Sequence, residues 1–231
     1  MAGARLAFQC IDRGGSGLRR VRVDHLVIAG WTGRNRAAME AHIEELAALG
    51  VRRPATTPIF YRVAASVLTT DDVIEVSGAA TSGEVEPVLV ALDDGLWVGI
   101  GSDHTDRTAE TVGVALSKQL CPKPVAPMLW RFSEIADHWD NIELRAHAVI
   151  DGKRRVYQEG KASIMRRPED LIERYAGSGE AFGPGGVMFC GTMAVKGGIA
   201  PADRFEIEMY DPVRERTIIH AYAIVTLPVA G

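Results

Sequence analysis

The chain has 231 residues, of which 47% are hydrophobic and 24% are charged, and its formal net charge is −4. This composition is ordinary for a soluble globular protein, and the mild acidic excess argues against nucleic acid or an anionic membrane surface as the main partner, because both favour a basic patch. Three cysteines without paired spacing exclude a disulfide framework and a cysteine zinc knuckle, so we expect a cytoplasmic protein in a reducing compartment.

The hydrophobic pattern predicts many short strands separated by turn residues. In chain order, the predicted strands cover residues 21–29, 58–63, 73–76, 84–91, 96–101, 142–150, 153–159, 204–209 and 217–227. Asp151 and Gly152 lie between two of these strands and predict a tight hairpin turn.

Fewer helices are predicted, and the clearest one begins after Asn35 as its N-cap and ends at Gly50. Its apolar stripe consists of Met39, Ile43 and Leu46. Further predicted helices run from Thr105 or Asp106 to Lys118, over 133–139 and over 168–175. Strands outnumber helices, their order is irregular, and no linker divides the chain, which indicates a single domain of the α+β class that is mostly β.

Two carboxylates lie close together at the start of an apolar strand. In the segment Gly83-Glu84-Val85-Glu86, alternation places both glutamates on one face, about 7 Å apart along the strand. Val88 and Val90 follow on that face, whereas Val85 and Leu89 share the other face. Such a pair repels unless one pKa rises or a cation lies between the two groups, and oxygen ligands favour Mg²⁺ or Mn²⁺, with Ca²⁺ as an alternative. The competing interpretation is the solvent face of an edge strand.

A further acidic side chain, Asp103, follows the next predicted strand, where it could complete an oxygen site with Glu84 and Glu86. The competing interpretation of this segment is a helix N-cap at Thr105 or Asp106.

His42 and Glu45 are one helical turn apart and can meet on the same side of the first helix. Such a pair can activate water, but a half-buried helix histidine explains the same pattern. The other histidines show no spacing typical of a metal site or a catalytic triad: His25, His104, His138, His147 and His220. The chain also lacks the GxSxG, P-loop and HExxH motifs, which disfavours a serine hydrolase, a nucleotide-binding protein and a zinc protease.

Six motifs in the same order resemble those of the fumarylacetoacetate hydrolase superfamily. They are GRN with HIEE at 33–45, PIFYRV at 58–63, GEVE at 83–86, SDHTDR at 102–107, SK with CP at 117–122, and GTM at 191–193. The whole sequence is also similar to a bacterial subgroup of it that is classified as a domain of unknown function. The resemblance implies a mixed β-roll or barrel with a few short helices, in which residues 1–55 form N-terminal strands and a helix, and residues 56–231 form the catalytic core.

The resemblance also implies roles for single residues. Three of them would bind Mg²⁺ or Mn²⁺, namely Glu84, Glu86 and Asp103. His42 with Glu45 would activate water, and Lys118 would contact a substrate oxyanion. Thr192 would meet a substrate carboxylate or carbonyl, while Arg107 would orient the acidic loop and contribute to substrate binding.

The implied activity is hydrolysis of a carbon–carbon bond in an oxo acid or 1,3-dicarbonyl compound such as an acylpyruvate, through a metal-stabilised enolate. The same site could instead serve a decarboxylase, a hydratase or an isomerase. A binding module that kept the fold and lost the chemistry is the non-enzymatic alternative. The resemblance implies a homodimer with a small oxo acid as its only other partner.

Overall fold

The computed structural model describes residues 3–48 and 53–230, except for the side chains of His42, Glu45 and Leu46. Its strands are β1 (Ala4–Asp12), β2 (Gly15–Val23), β3 (His25–Gly30), β4 (Ile59–Val63), β5 (Leu68–Thr69), β6 (Val73–Ser77), β7 (Thr81–Ser82), β8 (Val85–Leu92), β9 (Gly95–Ser102), β10 (Thr105–Asp106), β11 (Lys123–Pro124), β12 (Met128–Arg131), β13 (Glu143–Ile150), β14 (Lys153–Lys161), β15 (Gly186–Phe189), β16 (Arg204–Asp211) and β17 (Arg216–Leu227).

The described α-helices are α1 (Arg36–Ala48), α2 (Arg107–Glu110), α3 (Val114–Gln119) and α4 (Pro168–Gly177). Short 3₁₀ segments cover Ala65–Val67, Phe132–Glu134, Ala136–Asn141 and Ala162–Ile164. The mostly β fold predicted from the sequence is therefore confirmed. Within the described ranges, no helix has the length and apolar character needed to cross a membrane.

Two large sheets carry the fold. The first has eight strands in the order β2-β1-β12-β9-β8-β15-β3-β4, and the second has five in the order β14-β13-β16-β17-β6. Two-stranded ladders join β7 to β10 and β5 to β11. The N-terminal strands β1 to β3 belong to the same sheet as β8 and β9, because β1 pairs with β12 and β3 pairs with β15.

The eight-stranded sheet is apolar on both faces. One face packs against the five-stranded sheet in a core that includes Val85, Leu89 and Tyr222. The other face encloses a second core that includes Val88 and Val90. Strand β8 supplies residues to both cores in strict alternation, as the sequence pattern predicted, so its register is fixed from both sides.

Several predicted details are confirmed by the structure. Asn35 caps α1, because its Oδ1 accepts a hydrogen bond from the Ala38 N–H at 3.0 Å. Asp106 caps α2 by accepting from the Ala109 N–H at 2.9 Å. Asp151 and Gly152 have φ values of 51° and 70°, as a tight hairpin turn between β13 and β14 requires. The predicted stop of the first helix at Gly50 lies outside the described residues.

Other predictions were wrong in detail. The strand predicted over 21–29 is two strands, because the backbone N–H of Asp24 bonds to Gly185 and the chain leaves its pairing with β1 to pair with β15. The helix predicted to end at Lys118 is broken into α2 and α3 at Gly113, whose backbone is extended with a φ of 179°. The helix predicted over 133–139 consists of two 3₁₀ segments. The sequence analysis did not identify β1, β12 or β15.

Candidate metal centre

The three predicted carboxylates meet where β8 begins and β9 ends. These strands are antiparallel, with Glu86 paired opposite Gly101, and the backbone N–H of Asp103 donates to the Glu84 carbonyl at 2.9 Å. One potential ligand atom from each of Glu84, Glu86 and Asp103 lies within 4.8 Å of the others. Within the described ranges this is the one group of three or more acidic, histidine or cysteine side chains arranged to hold a cation.

Burial excludes the edge-strand interpretation of these glutamates. Strand β8 lies inside the eight-stranded sheet, between β9 and β15. Glu86 is 2% exposed and Asp103 is fully buried, while the side chain of Glu84 is 17% exposed. Carboxylates are seldom buried so deeply unless they are paired or bind a metal, so these three need compensating partners.

Glu86 is held by the backbone after β15. Its Oε2 accepts a hydrogen bond from the Gly191 N–H at 2.7 Å. Gly191 has a φ of 95°, and a Cβ at this position would lie 1.9 Å from the Thr32 hydroxyl oxygen, so only glycine allows this close approach. Burial raises the pKa of Glu86 well above its usual range, and the nearby Asp103 carboxylate raises it further.

Asp103 lies between two ammonium groups. Lys118 donates a hydrogen bond to its Oδ2, and the Nζ of Lys123 lies 3.4 Å from its Oδ1. Burial alone would raise the pKa of Asp103, but the charges of Lys118 and Lys123 outweigh it, so the pKa lies below its usual value. Despite its burial, Oδ1 has no hydrogen-bond partner in the part of the chain that the structure describes.

Lys118 belongs to the same cluster as the carboxylates. Besides Asp103, its Nζ lies 3.8 Å from Glu84 Oε2 and 5.9 Å from the centre of the Tyr61 ring. Burial would lower the pKa of Lys118, but Asp103 and Glu84 raise it above its usual value. The side chain therefore remains a cation beside the three carboxylates.

Arg107 uses all three guanidinium nitrogens on neighbouring side chains. It donates to Ser82 Oγ at 2.7 Å, to Glu84 Oε1 at 2.9 Å and to Glu110 Oε2 at 3.0 Å. These contacts fix the orientation of Glu84. The contact of Arg107 with a substrate remains a prediction.

Thr192 also lies beside β8. Its hydroxyl donates to the Val85 carbonyl at 2.7 Å and accepts from the side-chain amide of Gln158 at 2.8 Å. A substrate group could accept a hydrogen bond from this hydroxyl only by displacing the Val85 carbonyl. The structure therefore places Thr192 close to the carboxylates, with its hydroxyl hydrogen-bonded to the backbone of β8.

The predicted catalytic pair lies on α1, but the side chains of His42 and Glu45 are outside the described residues. The structure therefore leaves their proposed role in activating water as a prediction.

The sequence analysis missed two buried groups near the site. No role was predicted for Lys123, although a lysine flanked by prolines directly after a predicted helix could have suggested a fixed side chain. His104 was set aside for lack of spacing. It lies between Tyr222 and Thr81, whose hydroxyl oxygens are 3.0 and 2.9 Å from its ring nitrogens, and burial lowers its pKa to about 3.

The surface carries two large cavities whose linings differ from the carboxylate cluster. One of about 800 Å³ is lined by residues that include Arg13, Glu134 and Arg214, and another of about 890 Å³ is lined by residues that include Leu68 and Cys121. Neither is lined by the three clustered carboxylates.

The donor set fits a hard divalent cation. It consists of carboxylate oxygens alone, which suit Mg²⁺, Mn²⁺ or Ca²⁺ better than Zn²⁺. Asp103 Oδ1 adds an independent sign, because it is buried and accepts no hydrogen bond from the described residues, with only the ion-pair contact of Lys123 at 3.4 Å beside it.

The comparisons with known proteins establish the fold. No curated protein matches the chain. Among solved structures, the chain is similar to fumarylpyruvate hydrolase from Pseudomonas aeruginosa in complex with Mn²⁺ and pyruvate, with a TM-score of 0.65 and 15% identity over 98% of this chain and 97% of that one. It is also similar to a 2-keto-3-deoxyarabinonate dehydratase, with a TM-score of 0.65 and 19% identity over 92% and 77% of the two chains.

An Oleispira antarctica protein assigned as a fumarylacetoacetate isomerase/hydrolase has a TM-score of 0.65 and 16% identity, covering 94% of this chain and 99% of that one. The predicted fumarylacetoacetate hydrolase type of fold is thus confirmed. A family model matches residues 29–222, and the chain therefore belongs to the family described as protein of unknown function DUF2848.

Proposed function

We propose that this chain is a divalent-metal-dependent enzyme that cleaves a carbon–carbon bond in an oxo acid or a 1,3-dicarbonyl compound such as an acylpyruvate. The observation that carries the proposal is the buried group of three carboxylates with Lys118 in direct contact. Three acidic side chains at one place in the core are costly to bury, which supports a role in holding a cation.

Glu84, Glu86 and Asp103 would hold the cation, with Mg²⁺ or Mn²⁺ preferred and Ca²⁺ as an alternative. When bound, the cation would supply Lewis-acid polarisation of a substrate carbonyl and stabilise enolate charge. The protein holds these ligands rigidly, because β8 and β9 are paired along their length and Gly191 fixes Glu86.

Lys118 would place a positive charge where the enolate oxygen develops. Its ammonium lies among the carboxylates, and their charges keep it protonated. A charge fixed at this place before the reaction stabilises a developing oxyanion more strongly than mobile water does.

Arg107 and Thr192 would complete the substrate side of the site. Arg107 would act through Glu84, which it orients by a hydrogen bond of 2.9 Å. Thr192 would meet a substrate carboxylate or carbonyl, which would compete with the Val85 carbonyl for its hydroxyl hydrogen.

In the hydrolytic reaction, His42 would remove a proton from water while Glu45 holds the imidazole tautomer. The activated water would add to the substrate carbonyl, and the carbon–carbon bond would break with the enolate as leaving group. The matched structures include a hydrolase and a dehydratase at equal TM-score, so a lyase that forms the same enolate without this water is the second candidate.

Calorimetric titration of chelator-stripped protein with Mn²⁺ tests the metal site. We expect saturable binding of one ion in the wild type and its loss in Glu86→Gln. Glu75→Gln is the matched control, because Glu75 is an exposed strand glutamate in β6, and it should bind Mn²⁺ as the wild type does. Equal binding by Glu86→Gln and the wild type would refute the proposed ligand set.

A screen of oxaloacetate and acylpyruvates with Mg²⁺ or Mn²⁺ tests the reaction. For any compound that is turned over, we expect Lys118→Met to lower kcat by roughly 10²–10³-fold, the range found for loss of one oxyanion-stabilising group. Lys196→Met, at an exposed lysine paired with Glu159, serves as the matched control. Metal binding without turnover of any such compound would favour a ligand-binding module over an enzyme.

A further inference from the structure

Lys123 is a fully buried lysine beside Asp103. Its Nζ donates to the His104 carbonyl at 2.6 Å and to the Cys121 carbonyl at 3.0 Å. The same nitrogen lies 3.4 Å from Asp103 Oδ1. One lysine thus contacts three oxygen atoms from two separate segments of the chain.

The position of this side chain is fixed at its backbone. Lys123 belongs to β11, which pairs in parallel with β5 through Leu68, and prolines on either side restrict the chain further. The amine therefore reaches the acidic loop from a rigid base. Lysine is rarely buried completely unless its charge is paired, so its placement here calls for a specific task.

The two lysines next to Asp103 contact different oxygens. Lys118 bonds to Oδ2 from α3, whereas Lys123 lies beside Oδ1 and bonds to the carbonyl of the next residue, His104. Lys118 is proposed to face the substrate. Lys123 has no exposed surface and cannot reach a substrate, so it acts on the loop that carries Asp103.

We propose that Lys123 is a positioning residue of the metal centre, which fixes the Asp103 carboxylate by tying the loop at 103–104 to the segment at 121–124. The inference rests on the proposed metal site and adds to it a residue that binds neither metal nor substrate. Groups that orient metal ligands in this way commonly contribute 10–100-fold to metal affinity.

A purely electrostatic effect of Lys123 would have the opposite sign. If Lys123 acted only through its positive charge, its removal would reduce repulsion of a cation and tighten metal binding. If it acts by holding Asp103 in place, its removal weakens binding. The sign of the change in affinity therefore separates the two roles.

The test is Mn²⁺ titration of the chelator-stripped full chain in three variants. Lys123→Met keeps most of the length of the side chain and removes its donors, and we expect Kd to rise about 10–100-fold with one site retained. Lys123→Gln keeps a donor and should lie between Lys123→Met and the wild type. Lys196→Met makes the same substitution at an exposed lysine and should leave Kd within about two-fold of the wild-type value, as is usual for a surface change far from a site.

Near-UV circular dichroism and thermal unfolding without metal establish that each variant is folded. An unchanged or lower Kd in folded Lys123→Met would overturn the proposal. Failure of both Lys123 variants to fold would also overturn it, because Lys123 would then serve the fold and not the metal centre. Absence of Mn²⁺ binding in the wild type would instead refute the proposed function, so the two failures are distinguishable.

Discussion

Replacing Gly191 with alanine should disturb the metal centre through the backbone alone. Gly191 donates its N–H to Glu86 and has a φ of 95°, a conformation that residues with a Cβ rarely adopt. The added Cβ would lie 1.9 Å from the Thr32 hydroxyl oxygen and 3.0 Å from its Cβ. The first distance is far shorter than any real contact and the second is tight, so the chain or Thr32 must move.

The magnitude follows from two costs. A side chain forced into a sparsely populated backbone region costs about 1–3 kcal/mol, and overpacking at a buried position costs about 1–3 kcal/mol more. We therefore expect Gly191→Ala to lower the free energy of unfolding by about 2–6 kcal/mol. Because the N–H would shift away from Glu86, the Kd for Mn²⁺ should also rise.

Urea denaturation at fixed pH measures the free energy of unfolding, and calorimetric titration measures the Kd for Mn²⁺. Gly113→Ala is the matched control, since Gly113 has an extended backbone and a Cβ there would meet no heavy atom within 4 Å. We expect its free energy of unfolding to change by less than about 1 kcal/mol. Equal stability of the Gly191 and Gly113 variants would refute the argument that this close approach requires glycine.

Three further expectations follow from the structure. Tyr222→Phe removes a buried hydroxyl that donates to Ser102 Oγ at 2.8 Å and lies 3.0 Å from His104. Urea denaturation should therefore show a loss of about 1–3 kcal/mol in the free energy of unfolding. An unchanged free energy of unfolding would show that Ser102 and His104 find other partners. Burial lowers the pKa of His220 below the usual 6.5, so the unfolded chain binds more protons and wild-type stability should fall as the pH drops below 6.5. His220→Gln should flatten this dependence in unfolding curves taken between pH 7 and 5, and an unchanged slope would contradict the assignment. Light scattering should give the mass of two chains, as the family resemblance implies, and a monomer would contradict that expectation.

The sequence was most informative about β8. Its alternation of apolar residues predicted which side chains share a face, and the structure places Val85 and Val88 in separate cores. The same alternation put Glu84 and Glu86 together, but it could not decide between a solvent face and a core. That decision depends on the order of strands in the sheet, which residues distant in the chain determine.

The sequence was less informative where long-range contacts decide the conformation. The short strand β15 pairs with β3 and β8, and a run of four apolar residues does not reveal such partners. Lys123 was missed for a related reason. Its contacts with His104 and Asp103 span about twenty positions of the chain and follow no periodic pattern.

The position of the proposed metal ligands is therefore set by the fold more directly than the identity of the substrate is. Glu86 and Asp103 lie on, or directly beside, two central strands whose register is fixed by packing on both faces, and a shift of one residue would turn every side chain of β8 to the wrong core. Thr192 lies on a loop after β15, and loops can change without disturbing the sheet. Proteins that share this fold can thus keep the carboxylates and differ in substrate.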